Sequence, residues 1–297
     1  MKQALIVIKK TKFELDEITY PDRDFYYKIT KIQNNAYDRI YNSHLRQLES
    51  RKILSEVFPE GKFIFRDELD RFQRENFDFI VSLGGDNHFT YVAHHAGSKK
   101  ILGCNSDSIT SRGALLSFTP ESLLETSKNL WKDTSTEDWT MISGKISYPD
   151  GQIVETVSCV NEISIRNNNP DLTSRYVIQY DGMMEEQKSS GLLLYTGAGS
   201  TGWYASCKGL ADSEVEKFPR GVDYFKLFSR ELSRKARDHF KFTDMKIYGT
   251  IRVISEMNGG ISVDSLAERI YPFPPGAIGD FNLSPIKLQV ITLNNKK

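Results

Sequence analysis

Neither sign of charge prevails in this chain: Lys+Arg 39 balance Asp+Glu 39 over 297 residues, a formal net charge of zero. That balance excludes a protein that grips nucleic acid or an anionic membrane by overall charge, and leaves room only for a local basic pocket. Cysteine is scarce. Cys104, Cys159 and Cys207 are odd in number, widely spaced and form no CxxC pair, which argues against a disulfide framework and suits reduced thiols in a cytosolic protein. No apolar run is long enough to span a bilayer. Met1 leads straight into the strand-like Ala4-Leu5-Ile6-Val7-Ile8, with neither a charged-then-apolar signal nor an Arg- and Ser-rich transit segment. A soluble cytoplasmic protein is therefore expected. Internal repeats and low-complexity tracts are also missing.

Two glycine-rich turns stand out, each directly after an apolar strand-like run. Phe77 to Leu83 runs into Gly84-Gly85-Asp86-Asn87, and Gly191 to Thr196 runs into Gly197-Ala198-Gly199-Ser200-Thr201-Gly202. Glycines at such turns let the backbone approach a phosphate or sugar, and a helix opening just afterwards offers unpaired N–H groups to an anion. Only the first turn carries a carboxylate, so the pattern suggests a nucleotide held at two places with Asp86 near the chemistry.

The length suggests two domains, and 39% hydrophobic content suffices for both to fold. Over residues 1–133 strand-like and helix-like segments alternate, which predicts a Rossmann-like α/β domain. Its expected strands are Ala4 to Ile8, Lys62 to Phe65, Phe77 to Leu83 and Lys100 to Cys104. Helical spacing predicts a helix from Ala36 to Val57, and Thr119-Pro120-Glu121 opens another toward Trp131. The polar segment from Asp133 to Asp138 is the expected boundary. Residues 134–297 then read as a β-rich, sandwich-like domain whose last strand, Lys287 to Leu293, is a candidate to return to the first domain. Tyr148-Pro149-Asp150-Gly151 predicts a hairpin between Thr140 to Ser147 and Gln152 to Ile165, and Asn167 to Asp171 predicts a loop. Further strands are expected at Lys246 to Ile254 and Gly260 to Val263. One helix is expected at about Asp223 to His239, where Phe225, Phe228, Leu232 and Ala236 recur at helical spacing.

Each motif has a competing structural explanation. Asp86 at a tight β-to-α turn either caps the following helix or takes a proton from an attacking hydroxyl, as a catalytic aspartate does in kinases. Gly197, Gly199 and Gly202 match G-x-G-x-x-G. A dehydrogenase, however, needs an acid ending the next strand, and the chain after Gly202 reads as helical and polar through Asp212, Glu214 and Glu216. A nucleophile elbow built on Ser200 with His239 as base lacks its first glycine. His88, His94 and His95 lack the i, i+4 spacing of helix-borne metal ligands, so surface or packing roles are expected of them and no metal site. Asn161-Glu162, ending the run Val157 to Val160, either closes a strand or offers an amide and a carboxylate to ribose hydroxyls or a base edge.

Together these segments resemble NAD kinase, and within that family the mitochondrial type and its bacterial relatives. Gly84-Gly85-Asp86 stands where the family has GGDG, and Asn161-Glu162 where it has its Asn-Glu pair. Ser189-Ser190-Gly191 through Thr196 to Trp203 resembles the mitochondrial-type run SSGLNLCTGTGSKAW, and Gly103-Cys104-Asn105-Ser106-Asp107 resembles GVNTD. Similarity extends to Lys9 to Glu14 and Gly260 to Asp264. The resemblance implies an NAD kinase-like fold with nucleotides in a cleft between the domains, and transfer of phosphate from ATP with Mg²⁺ to the adenosine-ribose 2′-hydroxyl of NAD, giving NADP. Asp86 would be the base. By the same analogy Gly84, Gly85, Asn87, His88, Asn105, Asp107, Asn161, Glu162, Ser190, Gly191, Thr196, Gly199, Ser200, Thr201, Trp203 and Asp264 would bind the nucleotides, and the protein would be at least a dimer.

The chain departs from that pattern at three places. Asn87 replaces the fourth-position glycine and His88 the following threonine, both expected beside the phosphate path. Asn is the residue other than glycine that best tolerates a left-handed backbone. Ser265 follows Asp264 where the branch usually has glycine. Two further readings follow: an NAD(P)-binding protein with altered catalysis, and a related kinase acting on another hydroxyl substrate.

Overall fold

The computed structural model describes residues 3–33, 35–71, 76–209, 217–232 and 239–294. The chain divides into two compact units, residues 1–137 with 289–297, and residues 138–288. Among the described residues, no helix is long and apolar enough to cross a membrane.

The first unit is built on a six-stranded sheet in the order β2-β1-β3-β4-β18-β5. Its strands are β1 (Ala4–Ile8), β2 (Lys62–Phe65), β3 (Phe79–Gly84), β4 (Lys100–Asn105), β5 (Thr134–Trp139) and β18 (Leu288–Leu293). The pairs β1/β2, β1/β3, β3/β4 and β4/β18 are parallel. Every residue of β1 and β3 is buried, as the unbroken apolar runs require of strands covered on both faces. On one face Ile6, Val81 and Leu83 pack with Leu54 of α3 (Ala36–Val57) and Leu123 of α5 (Pro120–Thr126). On the other, β3 carries α4 (Asp86–His94). Helix α5 opens as expected, with Thr119 Oγ1 accepting the Ser122 N–H, but its α-helical part stops at Thr126, short of Trp131. Helices α1 (Lys12–Thr19) and α2 (Arg23–Ile32), not expected from the sequence, carry side-chain caps at Thr11 and Asp22. The polar segment expected as a boundary is largely β5, beside β18.

The second unit contains two six-stranded sheets, β10-β9-β14-β17-β6-β7 and β13-β12-β11-β8-β15-β16, whose strands pair antiparallel. In chain order the strands are β6 (Ile142–Ser147), β7 (Ile153–Glu155), β8 (Glu162–Asn167), β9 (Ser174–Tyr180), β10 (Met183–Ser189), β11 (Gly191–Tyr195), β12 (Phe225–Arg230), β13 (Asp244–Ile247), β14 (Ile251–Ser255), β15 (Gly259–Val263), β16 (Ile270–Phe273) and β17 (Ile278–Leu283), with α6 (Trp203–Lys208) after β11. One core joins both sheets, drawing Ile146, Ile178 and Phe281 from the first and Ile163, Leu194 and Leu227 from the second.

The helix expected from Asp223 to His239 is overturned over its described residues up to 232: Phe225–Arg230 is β12, paired with β11 on one side and β13 on the other. Phe225 and Leu227 face the sandwich core while Phe228 packs with Tyr204 and Phe218 on the opposite face. A strand buried on both faces shows no alternation, so chance helical spacing won. Ala236 lies outside the described residues, as do Asp212, Glu214 and Glu216. Asn161-Glu162 also differs from expectation, because Glu162 opens β8 rather than closing a strand. Tyr248 to Thr250 divide the run Lys246 to Ile254 between β13 and β14.

Candidate active site

The two glycine turns fall in different units. In the first, β3 ends at Gly84, Gly85 is extended, and Asp86 is the first residue of α4, where its charge complements the helix N-terminus. Backbone N–H groups of Ala114 (to Oδ2, 3.0 Å) and Leu115 (to Oδ1, 2.9 Å) fix the half-buried carboxylate. Each oxygen keeps a lone pair for a further partner. The residues that position Asp86 were not legible in the sequence; the signal was Gly113, whose φ of +62° turns the chain just before Ala114.

Asn87 is exposed on α4 and has no positive φ, so the turn does not call on the left-handed tolerance that was expected of it. His88 packs into the interior beside the turn. It is 1% exposed, its Nε2 lies 3.0 Å from the Val7 carbonyl, and it fills the space beside Gly84, where an added Cβ would come within 2.6 Å of the ring. Burial pushes its pKa down to about 4, with the charges of Lys9 and Arg66 adding to that and the Val7 bond opposing it. His88 is a buried, neutral residue packed beside Gly84, and its Nδ1 has no hydrogen-bond partner.

Asn105 and Asp107, at the end of β4, are committed to the protein. The Asn105 amide donates to Ser111 O (2.9 Å) and accepts from the Asp107 N–H (3.2 Å). Asp107 accepts from Arg46 Nε and Nη2 (2.8 and 3.1 Å), Ser43 Oγ (2.6 Å) and Thr110 Oγ1 (2.7 Å). Burial alone would raise its pKa, but these donors and the Arg46 charge hold it down at about 2.

In the second unit, Asn161, Glu162, Thr196, Gly199 and Asp264 come together. Asp264 receives the N–H groups of Val160 (2.9 Å), Asn161 (2.6 Å) and Glu162 (3.2 Å), and the Cys159 thiol (3.3 Å). It therefore shapes the segment entering β8 and has little left to give a ligand. The Thr196 N–H donates to Asn161 O (2.9 Å) and its hydroxyl to Val160 O (2.5 Å), while Thr196 Oγ1 accepts the Gly199 N–H (3.2 Å). Gly199 must be glycine, since a Cβ there would stand 2.2 Å from the Asn161 carbonyl. Two groups stay chemically open. Asn161 Oδ1 is buried with no hydrogen-bond partner. Glu162, 5% exposed, has its pKa pushed up to about 7 by burial and then by the Asp264 charge, against a bond from Ser265.

Ser200 is buried and donates to Gly197 O (2.7 Å), a turn-closing contact. Thr201 and Trp203 are half-buried, with the Arg230 guanidinium 4.7 Å above the Trp203 ring. Ser190 and Gly191 lie at the opposite end of β11 from Thr196, where Ser190 meets Glu231 and Arg230.

No protein-family model matches the chain. An NAD kinase of Thermococcus gammatolerans is 28% identical over 200 residues, 63% of this chain and 65% of the relative. An NAD kinase of Chloroherpeton thalassium is 28% identical over 141 residues, 46% of this chain and 47% of the relative. The mitochondrial NAD kinase 2 of Rattus norvegicus is 23% identical over 263 residues, 72% of this chain and 62% of the relative. The chain thus spans about half to two thirds of the length of these curated relatives. Among solved structures, an NAD kinase from Archaeoglobus fulgidus in complex with ATP matches with a TM-score of 0.60 at 20% identity, covering 99% of this chain and 94% of that one. Yeast NADH kinase complexed with NADH matches with a TM-score of 0.64 at 14% identity, covering 99% and 84%. The resemblance first carried by the two glycine turns is thereby borne out: the curated relatives of this chain are NAD kinases, and its fold is shared with an NAD kinase and an NADH kinase.

Proposed function

We propose that the chain is an ATP-dependent NAD kinase that phosphorylates the adenosine-ribose 2′-hydroxyl of NAD to give NADP and ADP. The observation that carries this reading is which polar groups the fold leaves open at its two glycine turns. At the first they include a carboxylate with spare lone pairs, Asp86; at the second they include the unpartnered Asn161 amide oxygen, beside the buried Glu162. A kinase acting on a nucleotide hydroxyl requires a base of the first kind and recognition groups of the second.

In this reading Asp86, oriented by Ala114 and Leu115, accepts the hydroxyl proton as the oxygen attacks the γ-phosphorus and the bond to the bridging β–γ oxygen breaks. Asn161 and Glu162 hold NAD. Thr196, Gly199 and Asp264 keep that pair in place, and Thr201, Trp203, Gly191 and Ser190 belong to the wider pocket. Mg²⁺ would arrive on the phosphates of ATP as part of the substrate. A homodimer and a cytoplasmic location complete the proposal. Purified protein given ATP, Mg²⁺ and NAD is expected to form NADP. Binding of NAD without turnover over a panel of phosphate donors would instead establish the altered-catalysis reading, whose remaining structural motive is the exposed Asn87.

A further inference from the structure

The C-terminal edge of the parallel sheet carries two cations that the reaction scheme above does not use. Ile8 of β1 pairs in register with Leu83 of β3 and with Phe65 of β2, and Gly84 pairs with Asn105. One residue further along, Lys9 therefore stands between Arg66, which follows β2, and Gly84, which opens the Asp86 turn. Side-chain alternation puts Lys9 and Arg66 on the face covered by α4. There the Arg66 guanidinium lies 3.7 Å from the centre of the Tyr91 ring, and both charges act on buried His88.

Position and chemistry both make Lys9 conspicuous. The sheet order β2-β1-β3-β4 reverses direction between β1 and β3, and ligands of open α/β sheets bind beyond the carboxyl ends of the strands at such a switch point. Lys9 and Gly84 are the residues at that point. The neighbouring cations Lys10, Lys12 and Arg51 each have a carboxylate, Asp67, Asp16 and Glu14 respectively. Among the described residues Lys9 has none. It is half-buried, and burial together with the like charge of Arg66 lowers its pKa. A half-buried cation facing another cation is destabilising unless an anion arrives to offset it.

We propose that Lys9 binds the phosphate chain of the nucleoside triphosphate donor, with Arg66, held on Tyr91, adding to the positive field. This assignment rests on the kinase reading above and gives it a donor-side residue. The test is calorimetric titration of the full chain with ATP and Mg²⁺, and separately with NAD, for wild type, Lys9→Met and Lys9→Arg. Lys9→Met is expected to weaken ATP binding roughly tenfold to a hundredfold, the usual range for losing a charged hydrogen bond. NAD affinity should be unchanged, Lys9→Arg should restore most of the ATP affinity, and Lys9→Met should melt no lower than wild type. If wild type binds ATP and Lys9→Met binds it within twofold as well, Lys9 is not the donor ligand and the kinase reading survives. If wild type binds no ATP, both fall together.

Discussion

Ser265 donates its hydroxyl hydrogen to Glu162 Oε1 at 3.0 Å from a backbone held at φ +54°. The preceding Asp264 is also left-handed, at φ +53°. Glycine would meet such a backbone without strain, and the hydroxyl bond gives the serine here a use that offsets it.

Ser265→Gly should therefore change titration more than stability. Relief of the left-handed strain and loss of the hydrogen bond are each worth about 1 kcal/mol and oppose one another. The lost bond favoured the charged form of Glu162, so the pKa of that carboxyl should rise by about half a unit to one unit. Calorimetric NAD affinity measured from pH 5 to 9 would show its midpoint displaced upward in the variant. Coincident profiles would show that Ser265 does not act on Glu162.

Asp264→Ala should be far more damaging. Its carboxylate gathers the N–H groups of residues 160–162 and the Cys159 thiol within the core edge of the second unit. Removing it strands several buried donors, at about 3 kcal/mol or more. Denaturant unfolding would register that loss, and NAD binding should fall in step because the Asn161-Glu162 segment loses its anchor. A variant as stable as wild type would contradict this account.

What the sequence made legible follows the range of the interactions. Strands β1 and β2 and helix α3 fall at their expected bounds because apolar runs and helical spacing are local signals. β12 was misread because Phe225 and Phe228 are buried on opposite faces. The bonds that shape the site are long-range: Asp264 reaches back to residues 160–162 and Asp86 forward to Ala114, so no window of neighbouring residues reveals them. The partner that places His88 is equally remote, Val7 lying 81 residues away.

Asp86→Asn should separate chemistry from folding. One of the two N–H groups at Ala114 and Leu115 would face an amide NH₂ instead of an oxygen, costing about 1–2 kcal/mol, which a folded domain of this size survives. Loss of the base should lower kcat about 10²- to 10⁴-fold. Initial-rate measurements of NADP formation, with calorimetry showing that NAD still binds, give the split. Wild-type kcat in Asp86→Asn would remove the base assignment.

Acid should loosen one unit and tighten the other. The His88 pKa is depressed from 6.5 to about 4 in the folded chain, so its contribution to the first unit is complete above pH 6.5 and drains away as pH falls toward 4. Glu162 is raised from 4.5 to about 7, so its contribution to the second unit is complete below pH 4.5 and is lost as pH rises through 7. Each effect is on the order of 3 kcal/mol at full extent. Hydrogen exchange followed by mass spectrometry at pH 5 and pH 7.5, corrected for intrinsic rates, should therefore show opposite changes. Peptides covering β3 and α4 should be less protected at pH 5, and those covering β8 more protected. Glu162→Gln should remove the second change and leave the first. Protection that moves in the same direction in both units would show that these two buried groups do not set the local pH response.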